Sequence, residues 1–323
     1  MPQFDLPLDE LTHYRPEPSA EPDFDQFWTE TLELARQYDL APAYTPSDFL
    51  LDTVEVYDAS FAGWNGERIA AWLLLPRDRP GPLPAVVQLI GYGGGRSLPY
   101  QHLLMSSAGY AHLVMDSRGQ GGASYPGVTP DPDPASSTGQ HPGFMTRGVS
   151  DPRTYYFRRI ITDAVRAVEA ARAHPVVDSG RVAVYGNSQG GGLALATAAL
   201  APDVSALLAH VPFLCDYRRA ITITDAMPYK EIANYLAVRR DRVAETFRTL
   251  SYFDGVNFAA RATAPSMFSV ALMDEVCPPS TIYAAHNNYA GPKEIRVWPY
   301  NGHEGGEVFQ NREDLAFLRT HLG

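Results

Sequence analysis

The stretch "VAVYGNSQGGG", residues 182–192, decides how this chain is read. An apolar, β-rich run ends at Tyr185, a serine stands between glycines, and two more glycines follow. Gly186-Asn187-Ser188-Gln189-Gly190 fits G-x-S-x-G at the junction of a strand and a small-residue helix. A turn that tight leaves no room for side chains at the flanking positions. It holds the serine in a strained backbone with its hydroxyl exposed above a sheet. The competing reading is a glycine-packed turn whose serine only caps the next helix. Alone the motif is weak in a chain with 26 glycines, so its surroundings must carry the case.

Outward from the serine the texture is repetitive. Apolar β-rich runs recur at 84–91, 110–119, 178–186, 204–212, 265–274 and 294–300. Helical patterns lie between them at 156–173, 191–201 and 279–290. Nearly continuous apolar strands suit a sheet buried on both faces, and the alternation predicts a mainly parallel α/β sheet with helices on both sides. Before this region, 52–61 and 68–76 read as two strands joined at "GWNGE", a hairpin signal.

Three segments stand outside the alternation. Residues 1–45 read as an N-terminal arm with one amphipathic helix at 23–38, bounded by prolines. Residues 125–152 form a Pro-, Gly- and Ser-rich excursion, long for a loop in a compact domain. The arm and the excursion suit contact with neighbouring subunits better than isolation in solvent, so an oligomer is expected. Residues 216–261 form a helical insertion placed to cover the C-terminal edge of the sheet, where open α/β folds take their ligands. All of this is consistent with one domain spanning 1–323.

Composition narrows the function. The formal net charge of -11 argues against nucleic acid and anionic membranes, which need a basic face. No apolar run reaches the ~18 residues of a membrane span. The first residues carry early acids and no apolar core, unlike a secretory signal. Cys215 and Cys277 are expected to be free and buried. The absence of CxxC and HExxH patterns makes a zinc site unexpected, and no cofactor motif is evident: "GYGGG" at 91–95 does not fit G-x-G-x-x-G.

A serine needs a base, and behind this kind of turn the chain order is serine, acid, histidine. After Ser188 the histidines are His210, His286, His303 and His321. His210 lies in a strand run, His286 in a helical pattern and His321 near the C-terminus. His303 sits in the glycine-bounded loop "PYNGHEGGE" after the last strand. Asp274 ends the preceding strand and is the expected acid, with Glu275 its immediate rival and Asp254 a weaker one. The oxyanion donors are expected to be the N–H groups of Gln189 and Tyr92, the latter in "GYGGGRS". Pro212 and Phe213, with Tyr92, are expected to bound the substrate pocket on the acyl side.

At this point a family comes into view. "GNSQGG", "DSRGQGG" (116–122), "HVPFLCDYRRAI" (210–221), "TLSYFDGVNFA" (249–259), "LMDEVCPPSTIYAAHN" (272–287) and "YNGHEGG" (300–306) resemble the acetyl xylan esterase and cephalosporin-C deacetylase family. The opening 29 or so residues resemble that family's N-terminal arm, so the likeness covers nearly the whole chain. It implies an α/β-hydrolase fold and a cytoplasmic serine esterase without metal or cofactor. It implies action on small acetylated substrates, including acetylated xylo-oligosaccharides and cephalosporin C. It also implies a homohexamer built as a dimer of trimers, with Ser188, Asp274 and His303 as the triad and Tyr92 and Gln189 as oxyanion donors. One departure is Asn187, where the family commonly has glycine. "RGQG" (118–121) is expected to brace neighbouring loops. The alternatives are a serine peptidase of the same fold and a catalytically silent hydrolase that only binds.

Overall fold

The computed structural model describes residues 3–132 and 140–323. Residues 133–139 of the 125–152 excursion lie outside the described residues, as do the first two residues of the arm.

Nine strands form one sheet in the order β1-β2-β3-β5-β4-β6-β7-β8-β9. They are β1 Ala43–Ser47, β2 Val54–Ala62, β3 Arg68–Pro76, β4 Leu83–Leu89, β5 Ala111–Met115, β6 Val177–Asn187, β7 Ala206–His210, β8 Ser266–Ala271 and β9 Lys293–Trp298. β1, β2, β3 and β5 pair antiparallel, and from β5 onward every pair is parallel. The β2–β3 hairpin closes through Gly63 N–H donating to Glu67 O at 2.9 Å, across the "GWNGE" turn. The architecture is that of an α/β-hydrolase.

The helices follow the sheet. They are α1 Leu8–Leu11, α2 Phe24–Arg36, α3 Leu103–Ser107, α4 Tyr156–Ala173, α5 Gln189–Leu200, α6 Tyr217–Ile223, α7 Tyr229–Val238, α8 Val243–Ser251, α9 Gly255–Ala259, α10 Pro279–Asn288 and α11 Glu307–Leu322. α4, α5 and α10 cover one face, against Val87, Leu89, Val184 and Phe268. α3 and α11 cover the other, against Val86, Ala183 and Leu208. Alternate strand residues therefore enter two different cores, which is why these strands read as unbroken apolar runs. α6 to α9 make up the insertion. Among the described residues, no helix is long and apolar enough to cross a membrane.

The arm's helix packs on its own chain. Phe24, Phe27, Trp28, Leu32 and Ala35 of α2 are buried within this chain. Phe27 and Trp28 stack edge-on against Phe253 at 6.0 and 5.5 Å, and Trp28 Nε1–H donates to Tyr252 O at 2.9 Å. The apolar face of this helix thus clamps the insertion of its own chain.

Candidate active site

The elbow explains its glycines. A Cβ on Gly186 would lie 2.2 Å from Gly190 C, and one on Gly190 would lie 2.1 Å from Leu89 O. Both neighbours are backbone and cannot move aside cheaply. Ser188 itself has φ 55° and ψ -120°, a conformation that costs a non-glycine residue about 1–3 kcal/mol. It is held by its N–H on His210 O at 2.9 Å and by Phe213 and Gly192 N–H groups on its carbonyl at 2.9 and 3.0 Å.

The structure brings Ser188, His303 and Asp274 into one line. His303 Nε2 lies 3.0 Å from Ser188 Oγ, and His303 Nδ1 lies 2.9 Å from Asp274 Oδ2. Asp274 is buried, and its Oδ1 accepts the N–H groups of Val276 and Cys277 at 2.8 and 2.9 Å. The rival Glu275 points its side chain to solvent. Asp254 caps α9 instead, accepting from Val256, Asp216 and Tyr217 N–H. Glu304 fixes the histidine loop by accepting the Gly302 N–H and the Asn301 amide, at 3.1 and 3.0 Å. A carboxylate that only steadies a loop carries no motif, and sequence reasoning passed over it.

Tyr92 and Gln189 are linked through a third residue. Among the described residues, neither the Tyr92 N–H nor the Gln189 N–H has an acceptor within the chain. Gln120 Oε1 accepts Gly93 N–H at 2.7 Å, next to Tyr92, while Gln120 Nε2 donates to Gln189 Oε1 at 2.9 Å and to Tyr156 Oη at 3.0 Å. One buried amide so sets the spacing of the two loops. Arg118 anchors the same turn on Asp163 and Glu67. "RGQG" is thus a brace built from these two side chains.

The Tyr92 phenol donates to Glu231 Oε1 at 2.8 Å and accepts Phe144 N–H at 2.8 Å. Glu231 also accepts Met145 N–H at 3.1 Å, so α7 of the insertion is tied to the excursion across the tyrosine. Burial raises the Glu231 carboxyl above its ordinary range, and burial with the Glu231 charge keeps Tyr92 a phenol. Glu231 stands in a helix without any motif, so sequence offers no signal for it.

Ser188, His303, Tyr92 and Glu231 line one cavity of about 1000 Å³. Pro212 and Phe213, expected in its wall, do not line it. Both are buried, and the Phe213 ring packs behind Tyr92 with centroids 6.1 Å apart. The reason is the elbow: the residues after β7 wrap under it to bond Ser188 O. The Phe213 ring therefore meets the cavity wall at Tyr92.

Asp274, Cys277 and His303 place their possible ligand atoms within 4.8 Å of one another. Both Asp274 oxygens are already engaged by Val276, Cys277 and His303, so the group is organised as a hydrogen-bonded line beside a thiol. Burial, then the Asp274 charge, pushes the Cys277 thiol well above its usual range, which leaves it protonated and inert. Cys215 and Cys277 are free.

The chain is similar to known proteins over nearly its whole length. The acetyl xylan esterase (AXE1) family profile matches residues 1–321. An acetyl xylan esterase from Paenibacillus sp. R4 superposes with a TM-score of 0.91 at 40% identity, covering 98% of this chain and 100% of that one. Acetyl xylan esterase 1 from Thermoanaerobacterium sp. JW/SL YS485 superposes at 0.87 with 34% identity, over 98% and 99% of the two chains. The acetyl esterase Axe7A of Xylanibacter ruminicola is 29% identical over 286 residues, 87% of this chain; the chain spans 63% of that relative's length. This chain belongs to the acetyl xylan esterase family.

Proposed function

We propose that this chain is a serine esterase that removes acetyl groups from small esters, among them acetylated xylo-oligosaccharides and cephalosporin C. The observation that carries the reading is the line Asp274–His303–Ser188 ending in the cavity, with 2.9 and 3.0 Å steps. Ser188 Oγ attacks the acetyl carbonyl while its proton passes to His303 Nε2. Asp274 holds the proton on Nδ1 and offsets the imidazolium charge. The tetrahedral oxygen accepts from the N–H groups of Tyr92 and Gln189. The bond to the alcohol breaks as His303 returns the proton to the leaving oxygen. Water then repeats the sequence on the acetyl-enzyme and releases acetate.

The acyl side is proposed to be short. The Tyr92 ring is backed by Phe144 at 5.6 Å and Phe213 at 6.1 Å, and its hydroxyl is tied down by Glu231. A longer acyl chain must disturb that packing, at about 1–3 kcal/mol, or about 10- to 100-fold in rate. A 4-nitrophenyl ester series tests this: acetate should be fastest, butyrate clearly slower and octanoate near background. Octanoate as the best substrate would point to an open lipase-like groove and end the acetylesterase reading.

Two further proposals come from the family likeness, a cytoplasmic location and a homohexamer. The support for assembly is exposed apolar side chains such as Leu98, Tyr100, Tyr125 and Phe309. Sedimentation showing only a 35.5 kDa species would overturn the hexamer.

A further inference from the structure

The cavity over Ser188 has a floor that acetyl transfer itself does not use. On β4 and β6 the residues facing α3 and α11 are first Val86 and Ala183, fully buried in the core beneath those helices. Two residues further along, the same face carries Gln88 and Tyr185, which pair in register, and then Asn187. The apolar face of the sheet turns polar where the strands end, beside Ser188. Gln88, Tyr185 and Asn187 all line the cavity, and Gln101 joins them from the turn Pro99–His102.

Hydrogen bonding separates these amides from the buried ones. Gln120 and Gln189 bond each other and the backbone around them. The side chains of Gln88 and Gln101 have no partner among the described residues, and Asn187 reaches only the Tyr185 hydroxyl, at 3.4 Å. Each free primary amide offers two donors and two acceptor lone pairs. An alcohol with neighbouring hydroxyls, each both donor and acceptor, meets that pattern. An apolar alcohol would strip water from three amides and leave their hydrogen bonds unmade. An anion would find no lysine or arginine among the described lining residues. An acetyl group fills only a small part of about 1000 Å³, so most of the space belongs to the alcohol.

We infer that Gln88, Gln101 and Asn187 determine specificity for the alcohol half of the ester, by pairing with hydroxyls that neighbour the acetylated oxygen. The inference rests on the acetylesterase reading and assigns its specificity to these residues.

The test compares kcat/KM for a mono-acetylated methyl xyloside with that for 4-nitrophenyl acetate, in wild type, Gln101→Ala and Asn187→Ala. Each substitution should lower the ratio of sugar ester to aryl ester by about three- to tenfold, the range expected for one lost hydrogen bond, and mainly through KM for the sugar ester. Unacetylated methyl xyloside, as a competitive inhibitor, should bind the variants more weakly by a similar factor. A ratio unchanged in both variants, or both substrates falling together, would overturn the subsite. A wild type that cleaves the aryl ester but handles the sugar ester no better than ethyl acetate would overturn it too, while leaving the acetylesterase reading intact. A wild type that cleaves neither would remove that reading, and the subsite with it.

Discussion

Asp274 and Glu275 are neighbours in the chain, yet only one meets His303. The separation is made by the turn after β8, where Val276 and Cys277 N–H groups grip Asp274 Oδ1 and aim Oδ2 at the ring. Ser188→Ala and His303→Ala should each lower kcat by about 10⁴ or more with the fold intact, because the proposed mechanism makes them one proton-transfer unit. Asp274→Asn should cost a similar factor by presenting the wrong histidine tautomer, while Glu275→Gln stays near wild type. Steady-state kinetics on 4-nitrophenyl acetate decide it, and a dead Glu275→Gln beside an active Asp274→Asn would reverse the assignment. Ser188 was legible because its turn demands glycine at fixed offsets, and His303 because its loop follows the last strand. Glu231 was not legible as a site residue, and Gln120 was legible only as part of the loop-bracing "RGQG". Their partners lie 139 and 69 residues away in sequence, and only folding puts them side by side.

Among the elements, the parallel strands were readable because burial on both faces leaves an unbroken apolar run. β1 escaped notice. It is a short edge strand, "AYTPS", with one partner and mostly exposed side chains, and it tolerates Pro46 because it has a free edge. α11 escaped for the opposite reason: its buried face carries Gln310 and Asp314 among Phe317, Leu318 and Leu322, which breaks the apolar period. Those polar groups are engaged inside, Gln310 Nε2 on Asp314 at 2.9 Å and Asp314 beside His210 at 2.9 Å. α2 was found as a helix, and its destination was not, because amphipathicity shows that a face is covered but not by what. Trp28→Ala should destabilise the chain by about 3–5 kcal/mol in urea unfolding, since it removes a buried ring and its bond to Tyr252 O. A loss under 1 kcal/mol, on the order of a surface change, would mean that the arm does not clamp the insertion.

At the scale of the whole molecule, the insertion is held by a buried acid whose titration should show in stability. Burial, then the Asp216 charge, pushes the Asp254 carboxyl up to about 7, against three backbone N–H groups that favour the anion. An unfolded aspartate titrates near ~3.9. The folded chain therefore keeps a proton that the unfolded chain releases between these values. Its contribution to stability is complete below about pH 4 and is lost as pH rises to about 7. Wild-type Tm should fall more steeply from acid to neutral pH than that of Asp254→Asn. Parallel curves would show that Asp254 is ionised throughout.

If acetyl transfer passes through Ser188, as proposed, a covalent acetyl-enzyme precedes the release of acetate. Mixing the chain with 4-nitrophenyl acetate, quenching in acid within the first turnovers and mapping the peptides by mass spectrometry tests it directly. One acetyl group per chain is expected on the peptide that contains Ser188, decaying with the same rate constant as turnover and absent from Ser188→Ala. Turnover without that label, or a label that survives in Ser188→Ala, would contradict it.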